Sequence, residues 1–115
     1  MTEANPSRAR QKLGQLWPGH DPDEIMAILR VYGSKPNERE RDRVHLAVLK
    51  LSKGRKDRLP GLVRLAAVDY RDVLAPAEFP EESSLGPRKM SELSPEEAEA
   101  VRRRDREQYL GWLEG

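Results

Sequence analysis

The fold is decided by one stretch of sequence, Val44-His45-Leu46-Ala47-Val48-Leu49-Lys50-Leu51. Apolar side chains recur in it at i, i+3, i+4 and i+7, the spacing of a single buried stripe on a helix. Two further leucines, Leu46 and Leu49, widen that stripe. We therefore predict a helix that neighbouring elements cover on several sides, at the centre of the fold.

Recognisable signals bound this central helix. Asn37 is a capping residue, and Glu40 follows it at the spacing of a capping box. Gly54 favours the left-handed backbone conformation that often ends a helix. The sequence therefore predicts a helix from Asn37 to Lys53.

Shorter helices are predicted on either side of the central one. The first begins at the capping pair Asp21-Pro22 and ends at Gly33. The other begins at Arg58, where Pro60 is tolerable because it lies in the first turn.

The C-terminal half carries two further helix starts. Asp69 is placed to cap a short helix to Glu78, which Pro76 limits or kinks. The motif Ser94-Pro95-Glu96-Glu97 is a capping box with proline at its preferred position. The helix after it is charged nearly all round, and we expect its arginines to pair with glutamates of the same helix.

Apolar residues are concentrated in the middle of the chain. Positions 21–80 hold 26 of them, and the other 55 positions hold 16. We predict a partly flexible N-terminal flank at 1–20, a helical core domain at 21–82, a polar linker at 83–93 and a C-terminal helix at 94–115. Since no segment alternates apolar and polar residues for long, the expected fold is all-α, a small bundle of about four to five short helices with a longer, charged C-terminal helix.

Composition excludes several classes of protein. The 115 residues fit one domain, and the absence of cysteine excludes disulfide scaffolds, zinc ribbons and thiol nucleophiles. No apolar run has signal-peptide or membrane-spanning length, so we expect a cytoplasmic location without membrane association. The net charge is only +1, but segment 34–58 carries +5 and segment 59–82 carries −3. These two segments could meet between molecules in a self-association.

The sequence contains no recognisable catalytic constellation. His20 and His45 lack metal-ligand spacing, and phosphate-loop, dinucleotide-binding and nucleophile-elbow patterns are absent. We expect His45 to be a surface or boundary histidine. Asp69 and Asp72 are placed as helix-start acids, with a cation site as the alternative. We therefore predict no enzyme, no catalytic residue, no metal ligand and no cofactor.

A basic cluster follows the central helix. Its members are Lys50, Lys53, Arg55, Lys56 and Arg58, opposed only by Asp57. No aromatic residue is interleaved to stack bases, so a solvated surface at a helix end is the simpler interpretation. Nucleic-acid or anion binding is the alternative.

Two motifs resemble a group of small bacterial helical proteins of unknown function. The first is Leu46-Ala47-Val48-Leu49-Lys50-Leu51, and the second is Asp69-Tyr70-Arg71-Asp72-Val73, followed by Ala77-Glu78-Phe79-Pro80. The resemblance covers roughly residues 23–80. It implies a helical domain of bacterial origin, and it implies no particular activity, cofactor or partner.

These observations favour a non-catalytic protein-interaction module. The candidate interaction surface comprises Tyr70, Arg71, Asp72, Glu78, Phe79, Tyr109 and Trp112. In the structural alternative, Tyr70 and Phe79 anchor a short helix while Arg71 pairs with a carboxylate such as Glu78. The aromatic end of the C-terminal helix could dock on its own core or on a partner.

Overall fold

The computed structural model describes residues 5–115, which contain α-helices, one short 3-10 helix and no strand. The helices are α1 (Pro6–Leu16), α2 (Pro22–Leu29), α3 (Arg41–Ser52), the 3-10 helix (Lys56–Arg58), α4 (Leu59–Val68), α5 (Arg71–Glu78), α6 (Pro80–Glu92) and α7 (Pro95–Glu114). The predicted all-α class is confirmed. The predicted number of helices is too low, because the described residues form seven α-helices. None of these helices is both long enough and apolar enough to span a bilayer.

The chain divides into two compact units within α5, between Leu74 and Ala75. Residues 1–74 hold 15 Lys and Arg against 10 Asp and Glu, a net charge of +5. Residues 75–115 hold 6 against 10, a net charge of −4. The near-neutral total is therefore the sum of two units of opposite charge, and the predicted core at 21–82 crosses the division between them.

Helix α3 is the centre of the first unit. Every side chain from Val44 to Leu49 is buried, and α3 packs against both α1 and α4. The prediction that this helix is covered on several sides is confirmed.

The loop before α3 is held by a side chain that bonds to the backbone. The Glu38 carboxylate accepts hydrogen bonds from the backbone N–H of Gly33 (2.8 Å) and of Lys35 (3.2 Å). Glu40, directly before α3, has a left-handed backbone conformation with φ +56°, so α3 begins only at Arg41. The predicted start at Asn37 is wrong, because a right-handed helix cannot continue through this conformation.

Helix α1 belongs to the core of the first unit, although the sequence analysis placed residues 1–20 outside the core. Ala9 and Leu13 are buried, and α1 packs on α2 and α3. The indole N–H of Trp17 donates to the carbonyl oxygen of Gly54 (3.1 Å), which ties the end of α1 to the turn after α3. The first four residues of the predicted flank lie outside the described part of the chain.

Helix α2 begins where the sequence predicts. The Asp21 carboxylate accepts a hydrogen bond from the backbone N–H of Asp23 (3.0 Å), and Pro22 occupies the first helical position. The helix ends earlier than predicted, at Leu29, because tighter i→i+3 hydrogen bonds carry the chain from there to Tyr32.

The second unit contains α6 and α7. The predicted linker at 83–93 is wrong, because most of it lies in α6, where only Gly86 departs from helical geometry, with φ +81°. The predicted start at Ser94 is confirmed. The Ser94 hydroxyl accepts from the backbone N–H of Glu97 (3.1 Å), and the Glu97 carboxylate accepts from the backbone N–H of Ser94 (2.9 Å).

The N-terminus of α6 is capped by a side chain from α7. The buried Asp105 carboxylate accepts from the backbone N–H of Glu81 (2.8 Å) and of Glu82 (3.0 Å). Phe79, at the N-cap position, supplies no side-chain cap of its own. Asp105 therefore replaces a local cap and fixes the position of α6 along α7.

The arginines of α7 pair across to α6. The Arg104 guanidinium binds the Glu81 carboxylate through two hydrogen bonds (2.6 and 2.9 Å), and this contact lowers the pKa of Glu81. Arg102 lies 3.7 Å from the Glu82 carboxylate. For these two arginines the predicted pairing within α7 is wrong, because α6 brings carboxylates closer.

We predict that Asp105→Ala lowers the free energy of unfolding by about 2–3 kcal/mol. The substitution removes a charged acceptor and leaves two backbone N–H groups of α6 without a hydrogen-bond partner. Asp105→Asn keeps one acceptor oxygen and should cost about half as much. Urea denaturation measures both changes. The control is Glu107→Ala, at an exposed position of the same helix, whose free energy of unfolding should stay within about 0.5 kcal/mol of wild type. Equal effects of the alanine substitutions at 105 and 107 would contradict the capping role.

We predict opposite effects of alanine at two glycines of the first unit. Gly33 has φ +98°, and an added Cβ would collide with Arg41 Cγ and lie 2.6 Å from Arg41 Cδ. Gly33→Ala should therefore lower the free energy of unfolding by about 1–3 kcal/mol. Gly14 lies in α1 with open space around it, so Gly14→Ala should raise that free energy by about 0.5–1 kcal/mol. Thermal or urea denaturation checks both, and stabilisation by Gly33→Ala would contradict the argument.

Candidate functional site

Helix α4 is apolar on both of its faces, since Arg64 is its only charged residue. One face is buried. The opposite face exposes Leu65 over 41% and Val68 over 84% of their surface. We call this face the α4 ridge; it comprises Gly61, Arg64, Leu65 and Val68, at the i, i+3, i+4, i+7 spacing of one helical stripe. A helix that is apolar all round is ordinarily covered on all sides, so the ridge is a candidate docking surface.

An open groove of about 370 Å³ adjoins the ridge at the N-terminal end of α4. Its lining combines apolar and charged side chains: Leu51, Pro60, Leu62, Asp57, Arg58 and Arg64. Gly61 and Arg64 belong to both the groove and the ridge. A Cβ added at Gly61 would meet only the guanidinium of Arg64, at 3.9 Å, so the backbone is accessible there.

The charged groups of the groove differ in whether they already have an ion-pair partner. Asp57 already lies 3.4 Å from the Arg55 guanidinium. Arg58 and Arg64 are exposed, and neither has an ion pair within residues 5–115. The groove therefore offers two available cations beside an apolar surface.

The basic residues predicted to bind anions are spread over several elements. They are Lys50 in α3, Lys53 at its C-cap, and Arg55, Lys56 and Arg58 in the turn and 3-10 helix that follow. Lys56 lies 3.8 Å from the Glu24 carboxylate, and Arg55 contacts Asp57. The C-terminal end of α3 carries a partial negative charge, which favours these cations but disfavours a phosphate bound there.

The residues predicted to form an interaction surface fall in both units. In the first unit, Tyr70 is half-buried, and Arg71 and Asp72 are exposed. In the second unit, Glu78 and Tyr109 are buried, Trp112 is half-buried and Phe79 is exposed. The structure brings together the rings of Tyr109 and Trp112, with centroids 5.9 Å apart. Because Glu78 and Tyr109 are buried, they do not present a surface to a partner.

Asp69 and Arg71 form a local ion pair. Asp69 accepts from the Arg71 guanidinium (2.9 and 3.0 Å) and from the Arg71 backbone N–H (3.0 Å). The hydrogen bond to the guanidinium lowers the pKa of Asp69. Asp69 thus accepts from the first backbone N–H of α5, although this helix begins two residues later, at Arg71. The suggested pairing of Arg71 with Glu78 is replaced by the nearer Asp69. Across the described residues no group of three or more potential ligands is placed to hold a metal ion.

His45 is buried in the first unit, with 2% of its surface exposed. Its ring Nε2 lies 3.0 Å from the carbonyl oxygen of Tyr32, to which it donates. The Tyr32 hydroxyl in turn donates to the carbonyl oxygen of Arg39 (2.6 Å). The prediction of a surface or boundary histidine is wrong, because a backbone acceptor beyond α2 lets this polar ring occupy the buried side of α3.

Burial also lowers the pKa of His45, because the imidazolium ion would lose its hydration. The neutral ring is therefore the form that the folded state favours.

The comparisons with known proteins give no further guidance: no family model matches the chain, and no curated protein or solved structure matches it. The resemblance to small bacterial helical proteins stays a prediction.

Sequence reasoning missed the α4 ridge. In the sequence, Leu59, Leu62, Val63 and Ala66 have helical spacing and suffice to predict the helix, and Leu65 and Val68 are left out of that pattern. The sequence signal that could have found the ridge is the angular width of the apolar surface of α4, which is greater than one buried face requires.

We predict a pH dependence of stability that His45 causes. The unfolded chain binds a proton at the ordinary histidine pKa of 6.5, whereas the folded chain binds it only at lower pH. The free energy of unfolding should therefore be level above this value and fall as the pH drops below it. His45→Gln should lose this slope, and His20→Gln, at an exposed position, should keep it. Urea denaturation between about pH 5.5 and 7.5 measures the slopes, and equal slopes in wild type and His45→Gln would contradict the assignment.

Proposed function

We propose that this chain is a non-catalytic protein-interaction module and that the α4 ridge contacts its partner. The single observation that carries the proposal is the exposure of Leu65 and Val68 on a helix whose other face is already buried. Leaving apolar surface in water costs about 25 cal/mol per Å², and a partner that covers the ridge removes this cost. Exposed apolar patches are found at protein-interaction sites and at ligand-binding grooves.

The use of buried polar groups supports a non-catalytic role. His45 donates to a backbone carbonyl, and Asp105 accepts from two backbone N–H groups. Each side chain therefore provides a hydrogen-bond partner for backbone groups at the end of a neighbouring element, which is a structural role. Neither residue lines the groove.

Nucleic-acid or anion binding is the second candidate function. It is supported by the net charge of +5 on residues 1–74 and by the exposed Lys53 and Arg58. If all five residues of the basic cluster contacted phosphates of duplex DNA, log affinity would fall with log salt at a slope of about −4.5. Absence of any mobility shift with a DNA duplex at low salt would exclude this candidate.

We predict that a photo-crosslinking amino acid at position 68 captures a defined partner protein and that the same amino acid at position 31 does not. Val31 is the matched control, because it is also apolar and 65% exposed but lies outside α4. The adduct is identified by mass spectrometry, and the purified partner is then titrated into the full-length protein by calorimetry. Val68→Ser should weaken this binding about tenfold, and Val31→Ser less than twofold.

The proposal fails if the adducts at positions 68 and 31 are the same proteins in similar yield. It also fails if the purified partner binds wild type and Val68→Ser equally well.

A further inference from the structure

Two arginines border the apolar surface of the first unit. Arg58 and Arg64 line the groove and have no ion pair within residues 5–115. The one carboxylate of the groove, Asp57, already contacts Arg55. A partner that carries carboxylates would pair with the two arginines, whereas a basic partner would be repelled by the net charge of +5 on this unit.

The ridge has the dimensions of a helix-binding surface. From Gly61 to Val68 it extends over two helical turns, about 10 Å. A partner helix of three turns would contact it through residues at i, i+3, i+4 and i+7. The absent Cβ of Gly61 lets a second helix axis approach to the usual packing distance. A peptide that binds by adding a strand would need a free strand edge, and residues 5–115 contain no strand.

We infer that the partner segment on the α4 ridge is an acidic amphipathic helix of another protein, whose apolar face covers Leu65 and Val68 while its carboxylates pair with Arg58 and Arg64. This inference rests on the proposed function and adds the chemistry of the partner. The apolar contact supplies affinity, and the two ion pairs supply orientation and selectivity.

A second copy of this chain is a less suitable occupant. The exposed aromatic residue of the acidic second unit is Phe79, which is 42% exposed. Of the carboxylates near it in sequence, Glu78 is buried, and Glu81 and Glu82 already pair with Arg104 and Arg102. A copy would therefore have to break these pairs in order to present Phe79 together with the carboxylates beside it.

The test uses a labelled helical peptide as the probe and full-length protein in a fluorescence anisotropy titration. The acidic probe has leucine at i, i+3, i+4 and i+7, with glutamate and alanine elsewhere. One control peptide has the same composition in an order that spreads the leucines around the helix. The other control replaces every glutamate by lysine.

We predict that only the acidic amphipathic probe binds tightly. Val68→Ser should raise its Kd about tenfold, because the apolar contact shrinks. Arg64→Gln should raise its Kd about three- to tenfold at low salt, and less at high salt, because one ion pair is lost. The matched controls are Val31→Ser and Arg39→Gln, at exposed positions away from the groove, and each should change the Kd less than twofold. Thermal melts confirm that all four variants fold.

Three outcomes would overturn the inference. If the lysine probe binds as tightly as the acidic probe and Val68→Ser weakens both, the acidic partner is wrong while the α4 ridge remains a docking face. If the rearranged peptide binds as well as the amphipathic one, or if the Val68 and Arg64 variants bind the acidic probe like wild type, helix recognition at this site is wrong. The crosslinking result then decides separately whether the proposed function holds. If light scattering shows a dimer that Val68→Ser dissociates, the occupant is a second copy.

Discussion

The burial of α3 is the constraint on which the first unit depends. Because every side chain from Val44 to Leu49 is buried, one helix has to be covered over most of its circumference. Helices α1 and α4 supply that cover. The polar ring of His45 adds a condition, since it needs an acceptor within the core and finds one in the carbonyl oxygen of Tyr32. The burial of one helix therefore accounts for the positions of α1 and α4, and the hydrogen bond of its histidine fixes the turn after α2.

The second unit is organised by a polar contact set among apolar ones. Its long helix α7 buries the carboxylate of Asp105 on the same stripe as Val101, Tyr109 and Leu113. By accepting from the first two backbone donors of α6, this carboxylate makes the start of one helix depend on a residue more than twenty positions away. The bidentate contact of Arg104 with Glu81 lies beside it and reinforces the same alignment.

Sequence reasoning succeeded where the decisive contact is local. The starts at Asp21 and Ser94 depend on side chains that bond within three residues, so the spacing alone identifies them. The region at 83–93 was misread as a linker because the cap of α6 comes from Asp105, which no local pattern reveals. The α4 ridge was not predicted from the sequence for a different reason. Both faces of α4 carry apolar residues at helical spacing, and only the packing of the first unit decides that Leu65 and Val68 remain exposed.

The opposite net charges of the two units affect how the protein behaves in solution. A total of +1 gives little long-range repulsion between copies, while charges of +5 and −4 on separate parts of each copy provide attraction. At physiological ionic strength the Debye length is about 8 Å, so added salt screens this attraction at all but the shortest range. The colloidal stability of this chain should therefore increase from low to moderate salt, the reverse of a protein that is kept in solution by a large charge of one sign.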